Sequence, residues 1–298
     1  MMKNSVKNGK WSIFRVVMLA ILSVYSLTVV FLIMWVLLSS FKSKIDFNFN
    51  ALGWPEKFYF ENYINIFREL SVPITVPGVG QRHMLLPELF LYSLLYSLGC
   101  TAVSIIAKAM VAYVVAKYKF RLAPILYTVN IFVMVVPIVG RLPSELQLMR
   151  AIGFYDNLLG LIIMKASFTG MDFMLLHATF CSVSWEYAEA AKIDGASHFA
   201  IMWKIMFPMV KQVILILALQ NFISYWNDWG VNVTYMPSYP TAAYALYLFQ
   251  NSNITSISTG GIPYVLCACT VVMVPILILF VVFRDQFMGE ISFGGLKG

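Results

Sequence analysis

The sequence predicts an all-α integral membrane protein with six membrane-spanning helices. Three observations lead there. Hydrophobic residues make up 60% of the 298-residue chain and charged residues only 12%, whereas a soluble domain carries roughly 25% charged residues. The mean hydropathy is +0.78; a soluble fold this apolar would leave large hydrophobic patches in water, so the surplus faces lipid. The first apolar run, Val16 to Leu38, holds about 23 uncharged residues, too long for the apolar region of a cleavable signal and long enough for a span.

Six segments reach across a hydrocarbon core of about 30 Å at about 1.5 Å per residue: residues 13–38, 89–116, 122–140, 157–180, 209–229 and 263–283. Lys3, Lys7, Lys10 and Arg15 precede the first, Lys117, Lys119 and Arg121 fill the tight link between the second and third, and Lys192, Lys204 and Lys211 mark the link after the fourth. All fall on one side, and the positive-inside rule makes that side, with both termini, cytoplasmic. Lys108, near the inner end of the second span, is expected to snorkel. On the outer side, residues 39 to about 88 form a long polar and aromatic loop. The two later outer links are shorter, and the N-x-[ST] triplets at Asn232 and Asn253 carry no weight there. No repeat is evident, so residues 1–298 read as one membrane domain, with a five-helix core at about 85–285.

The formal charge of +7 raises nucleic acid as a partner, but the cations lie beside apolar spans and not in a basic run interleaved with aromatics, so topology explains them. Cys100, Cys181, Cys267 and Cys269 form no disulfide framework and read as small buried hydrophobes. No phosphate-binding G-x-x-x-x-G-K-[ST] occurs, His83, His177 and His198 are too scattered for a metal site, and no nucleophile has a base at hand. An intramembrane enzyme is therefore disfavoured.

One stretch is out of place in so apolar a chain: EYAEAAKIDGASHFAIMWKIMFP, residues 186–208, within a cytoplasmic loop at 181–209. Ser184 is placed to cap a short helix with Glu186 in its first turn, Gly195 suits the left-handed residue that ends it, and Ser197 suits a second cap. Pro208 stands where the fifth span begins. The small residues Ala188, Ala190, Ala191, Gly195 and Ala196 give a thin profile that either lets another protein approach closely or belongs to an ordinary amphipathic linker. The spacing of Glu189, Ala190 and Ala191, then Gly195, then Ile205 to Pro208 resembles the cytoplasmic signature loop of permease subunits in ATP-binding-cassette importers. Phe207 departs from that pattern, which has leucine there.

Further stretches extend the resemblance and narrow it to the carbohydrate-importer branch, in particular the six-span subunit of the maltose-transporter type: ENYINIF, AYVVAKYKF, AIGFYDNLLGLI, YWNDW and the terminal GGLKG. Tyr92-Ser93-Leu94 replaces the family's Asn-Ser-Leu, and Ser184 stands where proline is frequent. The resemblance implies a type I importer permease fold in the cytoplasmic (inner or plasma) membrane of a prokaryote. It also implies a homologous second permease, two ATPase subunits, an extracytoplasmic solute-binding protein and a carbohydrate substrate. ATP and magnesium would be held by the ATPase, with no cofactor in this chain. Glu189 would make a polar contact with the ATPase, Ala190 and Ala191 would permit close docking, and Gly195 would form the turn.

The substrate path is less defined. Lys165 and Asp172 lie seven apart in the fourth segment, hence on one helical face, and either line a path or form a structural pair with the partner permease. Tyr225, Trp226, Asn227, Asp228 and Trp229 offer ring faces and hydrogen-bonding groups suited to a sugar, or form an interfacial aromatic belt. The rival readings are a permease of the same kind for a non-sugar solute and an ion-driven secondary transporter, which would show more spans and inverted repeats.

Overall fold

The computed structural model describes residues 13–76, 80–136, 140–251 and 261–288. Lys3, Lys7, Lys10, the triplet at Asn253 and the GGLKG tail lie outside these residues. The chain divides into two compact units, one of residues up to 66 with 261–271, the other of 67–251 with 272–288.

In the first unit, α1 (Ile13–Ser40) exposes every residue from Ile13 to Met34. A helix this apolar on all sides requires lipid or a second protein around it. The following segment, expected as a loop, is folded. Ser43 caps α2 (Lys44–Phe49) by accepting the Asp46 N–H at 3.1 Å. Lys42 is only 1% exposed, and its ammonium donates to the carbonyls of Asn50 and Gly53. From α3 (Glu61–Glu69), Asn62 donates to the carbonyls of Ser40 and Lys42, and the Tyr63 hydroxyl lies 2.6 Å from Ser40 Oγ. The end of α1, whose last carbonyls lack helical partners, is thereby tied down by side chains.

The second unit opens with a departure from the all-α expectation: β1 (Ser71–Val76) and β2 (Gly80–Leu85) pair antiparallel, Ser71 opposite Leu85 and Val76 opposite Gly80. Val72 and Ile74 alternate inward and are buried. Next comes α4 (Leu86–Lys117), 32 residues with proline in its first turn. Its buried face includes Ser93, Ser97, Cys100, Ser104, Ala109 and Ala112, small residues that let neighbouring helices approach without a hydrophobic drive between them.

The third predicted span is observed as α5 (Ala123–Val135), 13 residues and about 20 Å long. After α6 (Arg141–Ala151), the fourth is broken into α7 (Leu158–Met164) and α8 (Met171–Ser182). Asn157 caps α7 by accepting from the N–H groups of Leu159 and Gly160. Within the break, Ser167 accepts the Thr169 N–H, and Gly170, at φ 123°, donates its N–H to the buried Asn130 of α5. Short hydroxyl side chains and a glycine thus give the backbone an alternative to helix.

A short helix α9 (Glu186–Ile193) follows, then α10 (His198–Ile201), a π-helical turn Met202–Met206 and α11 (Phe207–Met209). The axis of residues 198–209 meets α12 (Lys211–Trp226) at a bend of 79°, so the fifth predicted span starts after Pro208. The chain continues through α13 (Gly230–Thr234) and α14 (Ala242–Asn251) to α15 (Gly261–Met288), which carries Pro275 inside it. Among the described residues three helices are long and apolar enough to cross a membrane, or four if the bent pair is one span. The protein is a multi-pass helical membrane protein.

The links before α7 and after α13 are tied together at Asp156, which adopts φ 54°. Its carboxylate accepts the Ser238 N–H at 2.9 Å and the Ser238 hydroxyl at 2.6 Å, and its own N–H donates to the Tyr235 carbonyl. Asp156→Ala removes both side-chain acceptors and puts alanine at positive φ, so the purified protein should lose about 2 kcal/mol in a denaturant or thermal melt. Asp156→Asn, which tolerates this conformation and keeps an acceptor, should lose less than half of that.

Candidate functional site

The loop from 183 to 210 is built as two short helices joined by a tight turn. Ser197 caps α10 as expected, its Oγ accepting the Ala200 N–H at 3.3 Å. The cap position of α9 is instead Trp185, which makes no side-chain bond there, and Ser184, one residue earlier, accepts the Glu186 N–H at 3.3 Å only as a local turn contact. At the turn Gly195 takes φ +80°. Its N–H donates to the Lys192 carbonyl at 3.0 Å, and the Ala196 N–H donates to the Ala191 carbonyl at 2.9 Å. This crossed pair of bonds satisfies the last carbonyls of α9 and requires the left-handed residue between them. A Cβ on Gly195 would meet nothing within 4 Å, so the demand for glycine there is conformational and not steric within this chain.

The loop presents one face outward and seats the other. Ala188 and Ala191 are buried in a core shared with Tyr113, Phe180, Ile201, Met206 and Phe207. Glu189 and Ala190 are exposed, as are Ile193 at 87% and Phe199 at 65%. The expected pair of docking alanines is therefore split: Ala190 can meet a partner, but Ala191 lies against its own chain, where a larger side chain would force α9 off its seat. Ile205 is half-buried and Pro208 exposed.

The seat belongs to the C-terminal end of α4. Lys117 donates its ammonium to the Val183 carbonyl at the end of α8. The hydroxyl of Tyr118 lies 2.9 Å from His198 Nδ1, and its ring meets those of Trp185 at 5.6 Å and Tyr113 at 5.7 Å. Lys192 lies 5.0 Å over the Trp185 ring. Both halves of the loop thus contact Tyr118, which the sequence offered only as part of AYVVAKYKF.

Within the membrane-spanning part, the observed pairing corrects the expected one. Lys165 ends α7 and Asp172 begins α8, so the break puts them on different helices and not on one face. Asp172 is paired inside its own chain: its carboxylate accepts from Lys108 Nζ at 2.6 Å and Asn221 Nδ2 at 3.0 Å. The side chains of Lys108 and Asp172 are 11% and 16% exposed. Lys108 does not snorkel, because a carboxylate is within its reach and the aqueous boundary is not needed. This triad joins α4, α8 and α12. The signal was available, since Lys108 is itself an ionisable group in an apolar span.

The aromatic run at the end of α12 also separates. Trp226 is 1% exposed, stacked with Phe222 at 5.7 Å and donating to the Val272 carbonyl; it is core, and neither path lining nor belt. Asn227 is exposed and closes its own helix by donating to the Ile223 carbonyl. Tyr225 and Asp228 do converge with Lys165: Lys165 Nζ lies 5.6 Å from the Tyr225 ring centre, Tyr225 packs edge-on to Tyr96 at 5.8 Å, and the Tyr96 hydroxyl donates to Asp228 at 3.2 Å. Trp229 stacks on Tyr247 at 4.0 Å. The departure at Tyr92 places its ring edge-on to Tyr239, while Ser93 accepts the Ala242 N–H that opens α14.

Known proteins match this architecture. A solved chain described as a bacterial ABC transporter involved in the import of the acidic polysaccharide alginate superposes with a TM-score of 0.75 at 20% identity, covering 97% of this chain and 99% of that one. The diacetylchitobiose uptake permease NgcG of Streptomyces coelicolor is 26% identical over 93% of this chain and 87% of its own. The trehalose transport permease SugB of Mycobacterium tuberculosis is 26% identical over 76% and 84%. Residues 104–289, more than half of the chain and including the loop at 183–210, match the model of one family. The chain belongs to the binding-protein-dependent transport system inner membrane components.

Proposed function

We propose that this chain is the transmembrane permease subunit of an ATP-driven importer that moves a sugar or oligosaccharide into the cytoplasm. It works beside a homologous permease, two ATPase subunits that hold ATP and magnesium, and an extracytoplasmic binding protein. The observation that carries this is the geometry of the loop: a glycine turn presents Glu189, Ala190, Ile193 and Phe199 outward, while Ala188 and Ala191 fix the same helix to the ends of α4 and α8. A rigid helix seated on the spans can transmit a push from a docked partner. The carbohydrate reading draws on relatives named for diacetylchitobiose, trehalose and arabino-oligosaccharides. Lys165, Tyr225 and Asp228, with Tyr96, are the residues we assign to the solute path.

Transport should stop when the ATPase partner is omitted, and binding proteins loaded with different oligosaccharides should stimulate hydrolysis unequally. Stimulation only by a loaded amino-acid or phosphate receptor would exclude the sugar. The orientation follows from the short basic links: cysteines replacing Lys119 or Lys192 should react with impermeant thiol reagents only from the cytoplasm, and one replacing the exposed Lys57 only from outside. Reaction of the Lys192 replacement from outside would overturn both the orientation and the docking role.

A further inference from the structure

We propose that the link between α4 and α5, together with the face of α5 that follows it, holds one anionic phospholipid of the cytoplasmic leaflet. The proposal rests on the orientation given above. Residues 117–121 carry three cations and two aromatics around a recess of about 630 Å3, lined by Lys117, Tyr118, Lys119, Phe120, Arg121 and Pro124 among others. Lys117 is committed to the Val183 carbonyl. The exposed side chains of Lys119 and Arg121 make no hydrogen bond or ion pair with any described residue. The recess therefore offers two uncompensated cations at the end of a spanning helix, where basic pockets on the cytoplasmic side favour acidic headgroups.

The second half of the site is apolar. Pro124 also lines a groove of about 370 Å3 whose other walls are Ile125, Thr128, Val129 and Phe132. These fall at helical spacing on one exposed face of α5. Thr128 spends its hydroxyl on the Pro124 carbonyl at 2.8 Å, so the groove offers hydrocarbon no unsatisfied donor. From Pro124 to Phe132 the face runs about 12 Å, most of the roughly 15 Å of one leaflet's hydrocarbon. Positive-inside topology explains cations in this link but not an apolar groove leading away from them. A headgroup phosphate on Lys119 and Arg121 with an acyl chain along Val129 and Phe132 accounts for both. The charge complementarity favours a lipid over a protein segment, which would need an acidic end followed by a bare apolar run.

The test uses the complete purified complex exchanged into nanodiscs holding phosphatidylglycerol and phosphatidylcholine in equal amounts. The lipid retained after detergent extraction is then read by native mass spectrometry. The native protein should retain phosphatidylglycerol preferentially. Lys119→Gln with Arg121→Gln should lower that preference about twenty-five-fold, about fivefold for each cation, and Val129→Trp should reduce retention of both lipids by blocking the groove. An unchanged preference in the double variant overturns the proposal. So does displacement of the lipid by excess inorganic phosphate, which would mark an anion site without an acyl chain, or an efficient disulfide from Val129→Cys to the second permease, which would mark a protein interface. Retention is read in detergent and does not depend on sidedness. Labelling of Lys119→Cys from outside would thus overturn the orientation and the leaflet, whereas lost selectivity with labelling from inside would fault the lipid site alone.

Discussion

Asp172→Leu should be the most damaging single substitution inside the spans. It leaves Lys108 buried on α4 with no counter-charge and takes from Asn221 the acceptor it shares with that lysine. Removing one member of a buried ion pair typically costs about 3–5 kcal/mol, because the remaining charge stays desolvated. Most of the complex should then fail to assemble, as read by size-exclusion yield and a melt of what survives. The double variant Lys108→Met with Asp172→Leu should recover most of that loss, since replacing a buried pair by apolar groups of similar volume is often neutral. Asn221 keeps the Leu217 carbonyl as a second acceptor, so the double variant leaves it one unmet bond and not two. Transport per assembled complex separates the roles. A structural junction predicts a double variant that assembles and still transports, whereas a path-lining pair predicts one that assembles and does not. Equal stability of the single and double variants would show that the pair is not desolvated.

Much of this was legible in the sequence, for a physical reason. The multi-pass helical class is read from apolar length, because the bilayer imposes it on the chain. The glycine turn was legible because few residues adopt positive φ, and Ser197 because a short hydroxyl side chain at a helix start has one evident use; Ser184 misses the cap position of α9 by one residue. What escaped depended on long-range partners. Lys108 and Asp172 are 64 positions apart, and no periodicity links them. The spacing that put Lys165 and Asp172 on one face assumed a continuous helix, which Ser167, Thr169 and Gly170 interrupt with the help of Asn130 from α5. Trp226 looked like its aromatic neighbours in composition; only packing shows that it is core. The hairpin of β1 and β2 and the fold around Lys42 escaped because six-residue strands and a buried lysine in a polar stretch leave little pattern to read.

Glu189→Lys and Gly195→Leu should abolish transport while leaving the permease assembled. Glu189 is exposed and makes no salt bridge among the described residues, so reversing its charge should leave this fold intact and, on the proposed function, act through the docked ATPase. Gly195 at φ +80° has free space around its Cα. A side chain there costs roughly 1 kcal/mol of backbone strain, small beside the stability of the spans, but it alters the turn that aims α9 and adds bulk on the outward face. Conservative changes at the seat should behave otherwise: Ala191→Leu enlarges a residue that is 8% exposed in the core under α9 and should lower stability as well as transport.

Central to the account is that this loop carries the coupling between an ATPase and the spans. The most direct measurement is ATP hydrolysis by the reconstituted complex with and without its loaded binding protein, made on the native protein, Glu189→Lys and Gly195→Leu at matched assembly. The account predicts strong stimulation for the native complex and loss of at least about nine-tenths of it in both variants. Native stimulation and native import in both would contradict it and leave residues 183–210 as a linker.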